Sequence, residues 1–376
     1  MPYPIISTAN ELSSFASELE QEQVIAVDLE ADSMHNYREK VCLLQFSTPS
    51  RTVLVDPLAI ADISCLQKVL ANPAIRKIFH AADYDIRSLY RDFKLEVRGL
   101  FDTMICCQFL GEEKVGLAAI LSKYFDVTLD KRYQRADWSK RPLPQPMIAY
   151  AASDTLYLHK LAALLAEQLQ QKNRLNWVSE EFEILEKVRH SETEAPLFLK
   201  AKGAWTLQGY QLAALEALLQ WRDKEACRLN RPLFKVVETN VLLTLAKNSP
   251  ATPADLDKMA LPPSILKKNG NQWLKIIKES QSLPKDDLPT FPTQEKSIDD
   301  SATKRRINTL KRWRTGKSLA VGIDPGIMIN TALLEEIARE PPATIDDLEI
   351  FAALKKWQRS ELGPEIIQIL NSDSDL

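Results

Sequence analysis

The sequence predicts an α/β domain, built on a mixed sheet with helices on both faces, followed by two small all-α domains. Three observations support this prediction. Strand-like apolar runs are interleaved with helical patterns only up to about Ser191. After Trp205 the sequence has no strong strand signal, and residues 205–280 and 304–370 have helical periodicity with short breaks. These two helical blocks also resemble each other, which indicates that one unit has been duplicated.

Five strands are expected in the first domain. The runs VIAVDLE, VCLLQFST and TVLVD follow one another with short breaks, and we expect them to form three consecutive antiparallel strands. RKIFH is expected to form a fourth strand, and LFDTMI a fifth that runs into a helix. Helical patterns occupy SCLQKVLAN, DYDIRSLYRDF and the long stretch QPMIAYAASDTLYLHKLAALLAEQL. Strands followed by alternating strands and helices imply the mixed sheet.

The two helical blocks share a repeat. The segment PATPADL at 250–256 matches PATIDDL at 342–348, an offset of 92 residues. Two dipeptides recur at the same offset: Trp221-Arg222 as Trp313-Arg314, and Leu245-Ala246 as Ile337-Ala338. Small helical bundles often share Leu/Ala patterns by chance, but a Trp-Arg pair in register favours duplication. We expect Trp221 and Trp313 to be core anchors of the two bundles rather than surfaces that stack on bases.

Predicted domain boundaries follow from these patterns: an α/β domain at 1–191, helical domains at 205–280 and 304–376, and a linker at 281–303. The stretch SLPKDDLPTFPTQEKSIDDSAT between the helical blocks is rich in Pro, Asp, Ser and Thr, a composition typical of linkers. We therefore expect the linker to let the second helical domain move.

Composition and charge exclude several classes of protein. The chain has 376 residues, 45% hydrophobic and 26% charged, as in soluble globular proteins. No apolar run approaches the roughly 20 residues of a transmembrane helix, and the amino terminus lacks the pattern of a secretory signal. The five cysteines have no metal-binding spacing and suit a reducing compartment, so we expect a cytoplasmic protein. The sequence has no glycine-rich phosphate loop, which argues against ATP use and against a helicase.

Two carboxylates, Asp28 and Glu30, end the first expected strand. Side chains alternate across a strand, so these two should lie side by side on one face. Carboxylates that close repel each other, and burial raises the free-energy cost. Divalent cations would compensate for the crowding, because carboxylate oxygens are natural ligands of Mg²⁺ and Mn²⁺.

Further polar residues follow later strands and helices. Asp83 and Asp85 lie at the start of the helix after the fourth strand, and Tyr150 and Asp154 lie at i and i+4 on a later helix. Each feature alone has an ordinary explanation: a favourable helix N-terminal charge for Asp85, and an exposed hydrogen-bonding pair for Tyr150 and Asp154. Their order along the chain is the specific observation. Two metal ions among such carboxylates would stabilise the attacking and leaving oxygens of phosphodiester hydrolysis.

With these motifs the sequence resembles the RNase D family of DEDD-type 3′–5′ exonucleases. DLEADSMHNY, FHAADYDIRSL, FDTMI, LDKRYQRADWSKRPL and YAASDTLYL carry the resemblance between about residues 20 and 170. The two helical blocks resemble the paired helicase-and-RNase-D C-terminal (HRDC) domains of bacterial members. The resemblance implies an RNase H-like first domain and a metal-dependent exoribonuclease that acts on structured RNA precursors such as tRNA.

The resemblance also implies a role for each site residue. The metal ligands would be Asp28, Glu30, Asp85 and Asp154, with two ions, either Mg²⁺ or Mn²⁺. Asp28, Glu30 and Asp154 would hold the first ion, which activates a water, and Asp28 would bridge to the second ion together with Asp85. Tyr150, the mark of the DEDDy subgroup, would orient the attacking water. The product would be a nucleoside 5′-monophosphate released from the 3′ end.

Two details of the resemblance bear on the site. Asp83 competes with Asp85 for the second acidic motif, and the family spacing from His80 favours Asp85. Leu29 and Ala31 stand where other members carry Thr and an aromatic residue. This departure leaves the ligands intact but bears on how the terminal base packs.

Two basic segments are candidates for nucleic-acid binding. LDKRYQRADWSKRPL interleaves cations with aromatic residues, and its candidate contacts are Lys131, Arg132, Gln134, Arg135 and Trp138. KRRINTLKRWRTGK, at 304–317, contains no acidic residue, and its candidate contacts are Lys311, Arg312 and Arg314. The alternatives are an ordinary solvated loop for the first segment and a solvated helix face for the second.

Three functions compete. The first is a metal-dependent 3′–5′ exoribonuclease, the second is a DNA 3′–5′ exonuclease of proofreading type on the same core, and the third is a non-catalytic RNA-binding protein with an inactive nuclease fold. The intact carboxylates and Tyr150 count against the third. The paired helical repeats favour RNA over DNA through the resemblance alone. We expect a monomer that binds RNA, with no membrane and no ATP as partner.

Overall fold

The computed structural model describes residues 3–191, 195–259, 261–292 and 300–374. The chain divides into two compact units. One contains Met1–Ala31, Val41–His190 and Ser297–Leu376, and the other contains Asp32–Lys40 and Ser191–Lys296. In the described part of the chain no helix is both long and apolar enough to span a bilayer.

The first unit contains a six-stranded mixed sheet. Its strands are β1 (Ile5–Ile6), β2 (Val24–Ala31), β3 (Val41–Ser47), β4 (Thr52–Val55), β5 (Arg76–Phe79) and β6 (Leu100–Asp102). Their order in the sheet is β1-β4-β3-β2-β5-β6. β2, β3 and β4 pair antiparallel, whereas β5 is parallel to β2 and β6, and β1 is parallel to β4. The prediction of a mixed sheet with three consecutive antiparallel strands is confirmed.

The helices packed with this sheet are α1 (Ala9–Leu19), α2 (Gln67–Leu70), α3 (Asp83–Phe93), α4 (Thr103–Leu110), α5 (Leu117–Phe125), α6 (Gln145–Leu156), α7 (Leu158–Gln171) and α8 (Leu175–Leu185), with a 3₁₀ turn at Ser64–Leu66. β1 and α1 were not predicted. Thr8 marks the start of α1, because its hydroxyl accepts a hydrogen bond from the Glu11 N–H. The long helical pattern is divided at Tyr157, where φ is −100° and ψ is −5°, into α6 and α7.

The second unit holds the first helical block. Its helices are α9 (Tyr210–Leu229), α10 (Leu233–Val236), α11 (Thr239–Asn248), α12 (Pro253–Asp257) and α13 (Pro263–Gln281), with 3₁₀ turns at Leu197–Lys200, Ala204–Thr206 and Lys285–Asp287. The Trp221 ring packs edge-on against Trp273, with ring centroids 5.6 Å apart. Both side chains are buried. Trp221 is therefore a core anchor, as predicted.

The second helical block belongs to the first unit. Its helices are α14 (Ser301–Val321), α15 (Pro325–Met328), α16 (Thr331–Arg339) and α17 (Lys356–Ser374), with a 3₁₀ turn at Asp346–Ile350. Trp313 is only partly buried, and its indole N–H donates to Glu365 at 2.7 Å. Residues 293–299 of the predicted linker lie outside the described residues.

The arginine that follows each repeat Trp makes the same contacts in both blocks. Arg222 donates to the Val237 carbonyl at 3.1 Å and to the Thr239 hydroxyl at 2.9 Å. Its counterpart Arg314 donates at 2.8 and 3.1 Å to the two corresponding groups, which belong to Ile329 and Thr331. Because the contacts recur at the 92-residue offset, they support the predicted duplication.

The second helical block packs firmly against α8. The Trp357 ring stacks on Trp177, with centroids 4.8 Å apart and an interplanar angle of 18°. Lys355 Nζ lies 2.5 Å from a carboxylate oxygen of Glu181, and Glu180 accepts the backbone N–H of Trp357 at 2.9 Å. The expectation that this block moves on its linker is therefore wrong, because aromatic stacking and a partly buried ion pair hold it against α8.

Candidate active site

Asp28 and Glu30 lie on β2, two residues apart, so their side chains share one face of the sheet. In the antiparallel pairing with β3, Asp28 is opposite Gln45 and Glu30 is opposite Leu43. α6 packs on β2, β3 and β4, and Ala151 of α6 shares an apolar cluster with Leu43. α6 therefore covers the face that carries the two carboxylates.

One cavity brings together residues from distant parts of the chain. α6 contributes Tyr150 and Asp154, one turn apart, and both line a cavity of about 400 Å³ together with Asp28. Other residues that line this cavity are His80, Met104, Leu117, Lys131 and Gln134. The structure thus gathers the strand carboxylate, the helical Tyr-Asp pair and part of the basic segment, which the sequence presented separately.

Asp85, rather than Asp83, joins this cluster. Both lie in the first turn of α3. Asp85 is only 6% exposed, and the negative charge of Asp28 is among the causes that raise its pKa, after burial. The side chain of Asp83 is 57% exposed and pairs with Arg87, whose Nε lies 2.9 Å from a carboxylate oxygen.

Burial raises the pKa of all four carboxyl groups, and neighbouring carboxylates raise the pKa of Glu30, Asp85 and Asp154 further. Burial raises the pKa of Asp28 to about 7. Burial and then the charge of Asp28 raise the pKa of Asp154 to about 8. The pKa values of Glu30 and Asp85 are raised by the same two causes, burial first and then neighbouring carboxylates. The crowding expected from the sequence is present, and a cation among the groups would relieve it.

The donor set fits a divalent cation in its chemistry, because carboxylate oxygens are the ligands that Mg²⁺ and Mn²⁺ prefer. The carboxylates come from β2, α3 and α6, and Asp28 and Asp154 line the same cavity. Within residues 3–191, 195–259, 261–292 and 300–374, no group of three or more His, Cys, Asp or Glu side chains is already arranged to hold a metal ion. The ligand assignment therefore stays a prediction.

Tyr150 is held by two aromatic neighbours. Its ring centroid lies 6.0 Å from that of Tyr133 and 6.0 Å from that of Trp138. Burial and then the charge of Asp154 raise the pKa of Tyr150 above its usual range. The phenol therefore stays protonated at neutral pH and can donate a hydrogen bond into the cavity.

The prediction that Trp138 contacts nucleic acid is wrong. Its side chain is 1% exposed and belongs to the apolar cluster under α6, so no base can stack on it. Arg141, in the same segment, donates to both carboxylate oxygens of Asp56 at 2.6 and 2.8 Å and to the Trp138 carbonyl at 2.7 Å. The segment is thus anchored to the sheet and supports Tyr150 from behind.

The other candidates in this segment are exposed. Lys131 and Gln134 line the cavity beside Asp28. Arg132 forms an ion pair with Asp130, with Nη2 2.6 Å from a carboxylate oxygen, and Arg135 lies on the surface. Only Lys131 and Gln134 of the five predicted contacts in this segment therefore adjoin the carboxylate cluster.

Two of the three predicted contacts on α14 have structural partners instead. Lys311 Nζ lies 2.7 Å from a carboxylate oxygen of Glu335, and Arg314 is engaged by α16 and the loop before it. Arg312 is exposed. The basic helix is therefore partly a structural element, because its interior-facing cations pair with groups of the same bundle.

His80 also lines the cavity, although the sequence predicted no role for it in the site. Its Nδ1 lies 2.9 Å from the Thr103 hydroxyl, and burial lowers its pKa, so the ring is neutral at neutral pH. Met104 and Leu117 reach the same cavity from α4 and α5. No local pattern identifies these residues, because their relation to Asp28 depends on the packing of separate helices.

Comparison with known proteins identifies the domains. Residues 3–170 match the 3′-5′ exonuclease family, and residues 211–277 and 304–370 each match the HRDC domain. Ribonuclease D of Granulibacter bethesdensis is 28% identical over 380 residues, 99% of this chain and 94% of the relative. Ribonuclease D of Escherichia coli (strain K12) is 31% identical over 292 residues, 77% of this chain and 78% of the relative.

A solved structure agrees with these sequence matches. The crystal structure of E. coli RNase D, described as an exoribonuclease involved in structured RNA processing, has a TM-score of 0.75 and 26% identity over 99% of both chains. An exonuclease domain followed by paired HRDC domains defines the class of protein, a 3′–5′ exoribonuclease that hydrolyses phosphodiester bonds of RNA. The chain belongs to the ribonuclease D family.

Proposed function

We propose that this exoribonuclease removes 5′-mononucleotides from the 3′ end of structured RNA precursors such as tRNA, by hydrolysis that uses two metal ions. The observation that carries the proposal is the cavity lined by Asp28, Tyr150 and Asp154, beside Glu30 and the buried Asp85, whose pKa values are raised by burial and by neighbouring carboxylates. Structured RNA is favoured by the two HRDC domains and by the described role of the E. coli relative.

Asp28, Glu30, Asp85 and Asp154 would hold the two ions, Mg²⁺ or Mn²⁺. When bound, the ions supply a hydroxide-forming water and neutralise charge on the phosphate. Asp28 is the residue best suited to contact both, since its charge raises the pKa of each of the other three groups.

Tyr150 would orient the attacking water rather than remove its proton. Its pKa is raised, so the hydroxyl keeps its proton at neutral pH and serves as a hydrogen-bond donor. The ring is fixed by Tyr133 and Trp138, which limits the directions in which the hydroxyl can point. Lys131 and Gln134, at the exposed wall of the cavity, would bind the phosphate and base of the terminal nucleotides.

The proposal includes a cytoplasmic location for the protein. No disulfide is recorded for the described cysteines, which are Cys42, Cys65, Cys106, Cys107 and Cys227, and this suits the cytoplasm. We also propose a monomer, and light scattering of the purified protein tests that statement.

The decisive experiment offers matched 5′-labelled RNA and DNA oligonucleotides, and a tRNA precursor with a 3′ extension, in Mg²⁺, in Mn²⁺ and in EDTA. We expect stepwise shortening of RNA from the 3′ end, metal dependence, and no shortening by Asp28→Asn. Preference for DNA would support the proofreading alternative, and RNA binding without hydrolysis in either metal would support the non-catalytic one. Each of these outcomes contradicts the proposal.

A further inference from the structure

Gln45 is a buried polar residue that the proposed mechanism does not use. It lies on β3, and its side chain is 0% exposed. Within the described part of the chain, neither its amide nitrogen nor its amide oxygen has a hydrogen-bond partner. An unpaired buried amide destabilises the folded state, so a residue of this kind calls for a functional explanation.

The sheet register places Gln45 directly beside the cluster. Gln45 is opposite Asp28 in the antiparallel pair of β3 with β2, and opposite Leu54 in the pair of β3 with β4. Directly opposite residues point to the same face, with Cβ atoms about 4.5–5.5 Å apart. Of the side chains at these two positions only that of Asp28 can accept a hydrogen bond. Because the amide makes no direct bond in the structure, a bridging water is needed to connect the two groups.

The next residue on the same face of β3 shows which element covers that face. Ser47, two positions along β3, has its hydroxyl 2.7 Å from that of Thr155 on α6. The Gln45 face of β3 therefore lies under the helix that also carries Asp154, which is next to Thr155 in sequence. The Gln45 side chain is therefore buried on the face of the sheet that α6 covers, away from solvent.

We propose that Gln45 is a positioning residue whose amide nitrogen donates to Asp28 through one bridging water, and so holds the carboxylate in its metal-binding orientation. This inference rests on the proposed function. A carboxylate that binds an ion stays charged, and a charged acceptor strengthens the hydrogen bond it receives. Groups that orient metal ligands in this way typically change metal affinity 10–100-fold when removed.

The test compares the wild-type chain with Gln45→Met, which keeps the side-chain length and removes the donor, and with Gln45→Leu as a second apolar variant. Mn²⁺ binding to the metal-free protein is measured by titration calorimetry, and melting temperature is measured in EDTA. We expect the Kd for Mn²⁺ to rise about tenfold or more. We expect the melting temperature in EDTA to stay or to rise, because an unpaired polar group has been removed.

Two controls separate positioning from a structural role. Ser47→Ala removes a buried hydroxyl one pleat away, and we expect it to lower the melting temperature and leave the Kd for Mn²⁺ unchanged. In an Asp28→Asn background, Gln45→Met should have no further effect on Mn²⁺ binding. An unchanged Kd in both Gln45 variants overturns the inference while the proposed function stands. Failure of the wild type itself to bind Mn²⁺ overturns the proposed function, and the inference with it.

Discussion

At the residue scale, the charge of Asp28 raises the pKa of each of the other three carboxyl groups of the site. The pKa of Asp28 is about 7 and that of Asp154 is about 8, both raised above the values of an unfolded chain. The folded protein therefore binds protons more tightly than the unfolded chain, so these groups favour folding at low pH. Their contribution is lost as the pH rises through 7 and 8.

Asp28→Asn should separate stability from activity. We expect its melting temperature in EDTA to exceed that of the wild type at pH 8, by on the order of 2–4 °C for each kcal/mol of relieved repulsion. At pH 5 the difference should shrink, because wild-type Asp28 is then protonated. Hydrolysis should fall on the order of 10³-fold, since the proposed shared ligand of both ions is lost. Near wild-type turnover at saturating Mn²⁺ would refute the assignment.

The pair Asp85 and Asp83 offers a matched comparison within one helical turn. Asp85→Ala removes a buried member of the cluster, and we expect hydrolysis to be abolished. Asp83→Ala removes an exposed partner of Arg87, whose ion pair contributes about 0.3–0.5 kcal/mol, so most activity should remain. The assay is nucleotide release at saturating metal. The reverse pattern would mean that Asp83 is the ligand.

At the element scale, the segment between α5 and α6 combines a buried and an exposed function. Trp138→Ala empties a site behind Tyr150, and we expect a loss of about 3–5 kcal/mol in the free energy of unfolding and a lower kcat. Lys131→Ala changes only the exposed wall of the cavity, so KM for RNA should rise at an unchanged melting temperature. Urea unfolding and steady-state kinetics of both variants test this contrast. A stable Trp138→Ala variant with weakened RNA binding would restore the stacking hypothesis.

Helix α14 likewise carries both cations with structural contacts and an exposed cation. Arg314→Glu breaks the contacts with Ile329 and Thr331, so we expect a lower melting temperature. Arg312→Ala leaves these contacts in place. If α14 grips phosphates, this variant should reduce the slope of log affinity against log salt by about 0.7–0.9. An unchanged slope for a tRNA precursor would identify the exposed side of α14 as an ordinary solvated face.

At the scale of the whole molecule, the second helical block is part of the first compact unit. A fragment that ends near Ser191 keeps the four carboxylates and Tyr150, but it loses Trp357, which stacks on Trp177 and packs against Phe109 with ring centroids 5.5 Å apart. We expect the fragment to melt well below the intact protein and to cleave short RNA only below that temperature. Full-length Trp357→Ala serves as the control and should show part of the loss. Equal melting temperatures for fragment and intact chain would contradict this account.

The sequence by itself determined the features that depend on local periodicity. Alternation along β2 put Asp28 and Glu30 on one face, and helical spacing put Tyr150 and Asp154 one turn apart. The 92-residue repeat could be detected from the sequence, because the Trp-Arg pair and the segments PATPADL and PATIDDL lie at equivalent positions of two similar bundles. These features require no knowledge of what packs on each element.

Only the tertiary structure decided which side chains are accessible and which are used inside the fold. Trp138 and Arg314 belong to motifs that suit nucleic-acid binding. Trp138, however, is buried under α6, and Arg314 donates hydrogen bonds to Ile329 and Thr331. Gln45 has no local signal, since its position opposite Asp28 depends on strand register. The burial of a side chain and its hydrogen-bond partners depend on elements that are distant in sequence. A short stretch of sequence therefore cannot predict them.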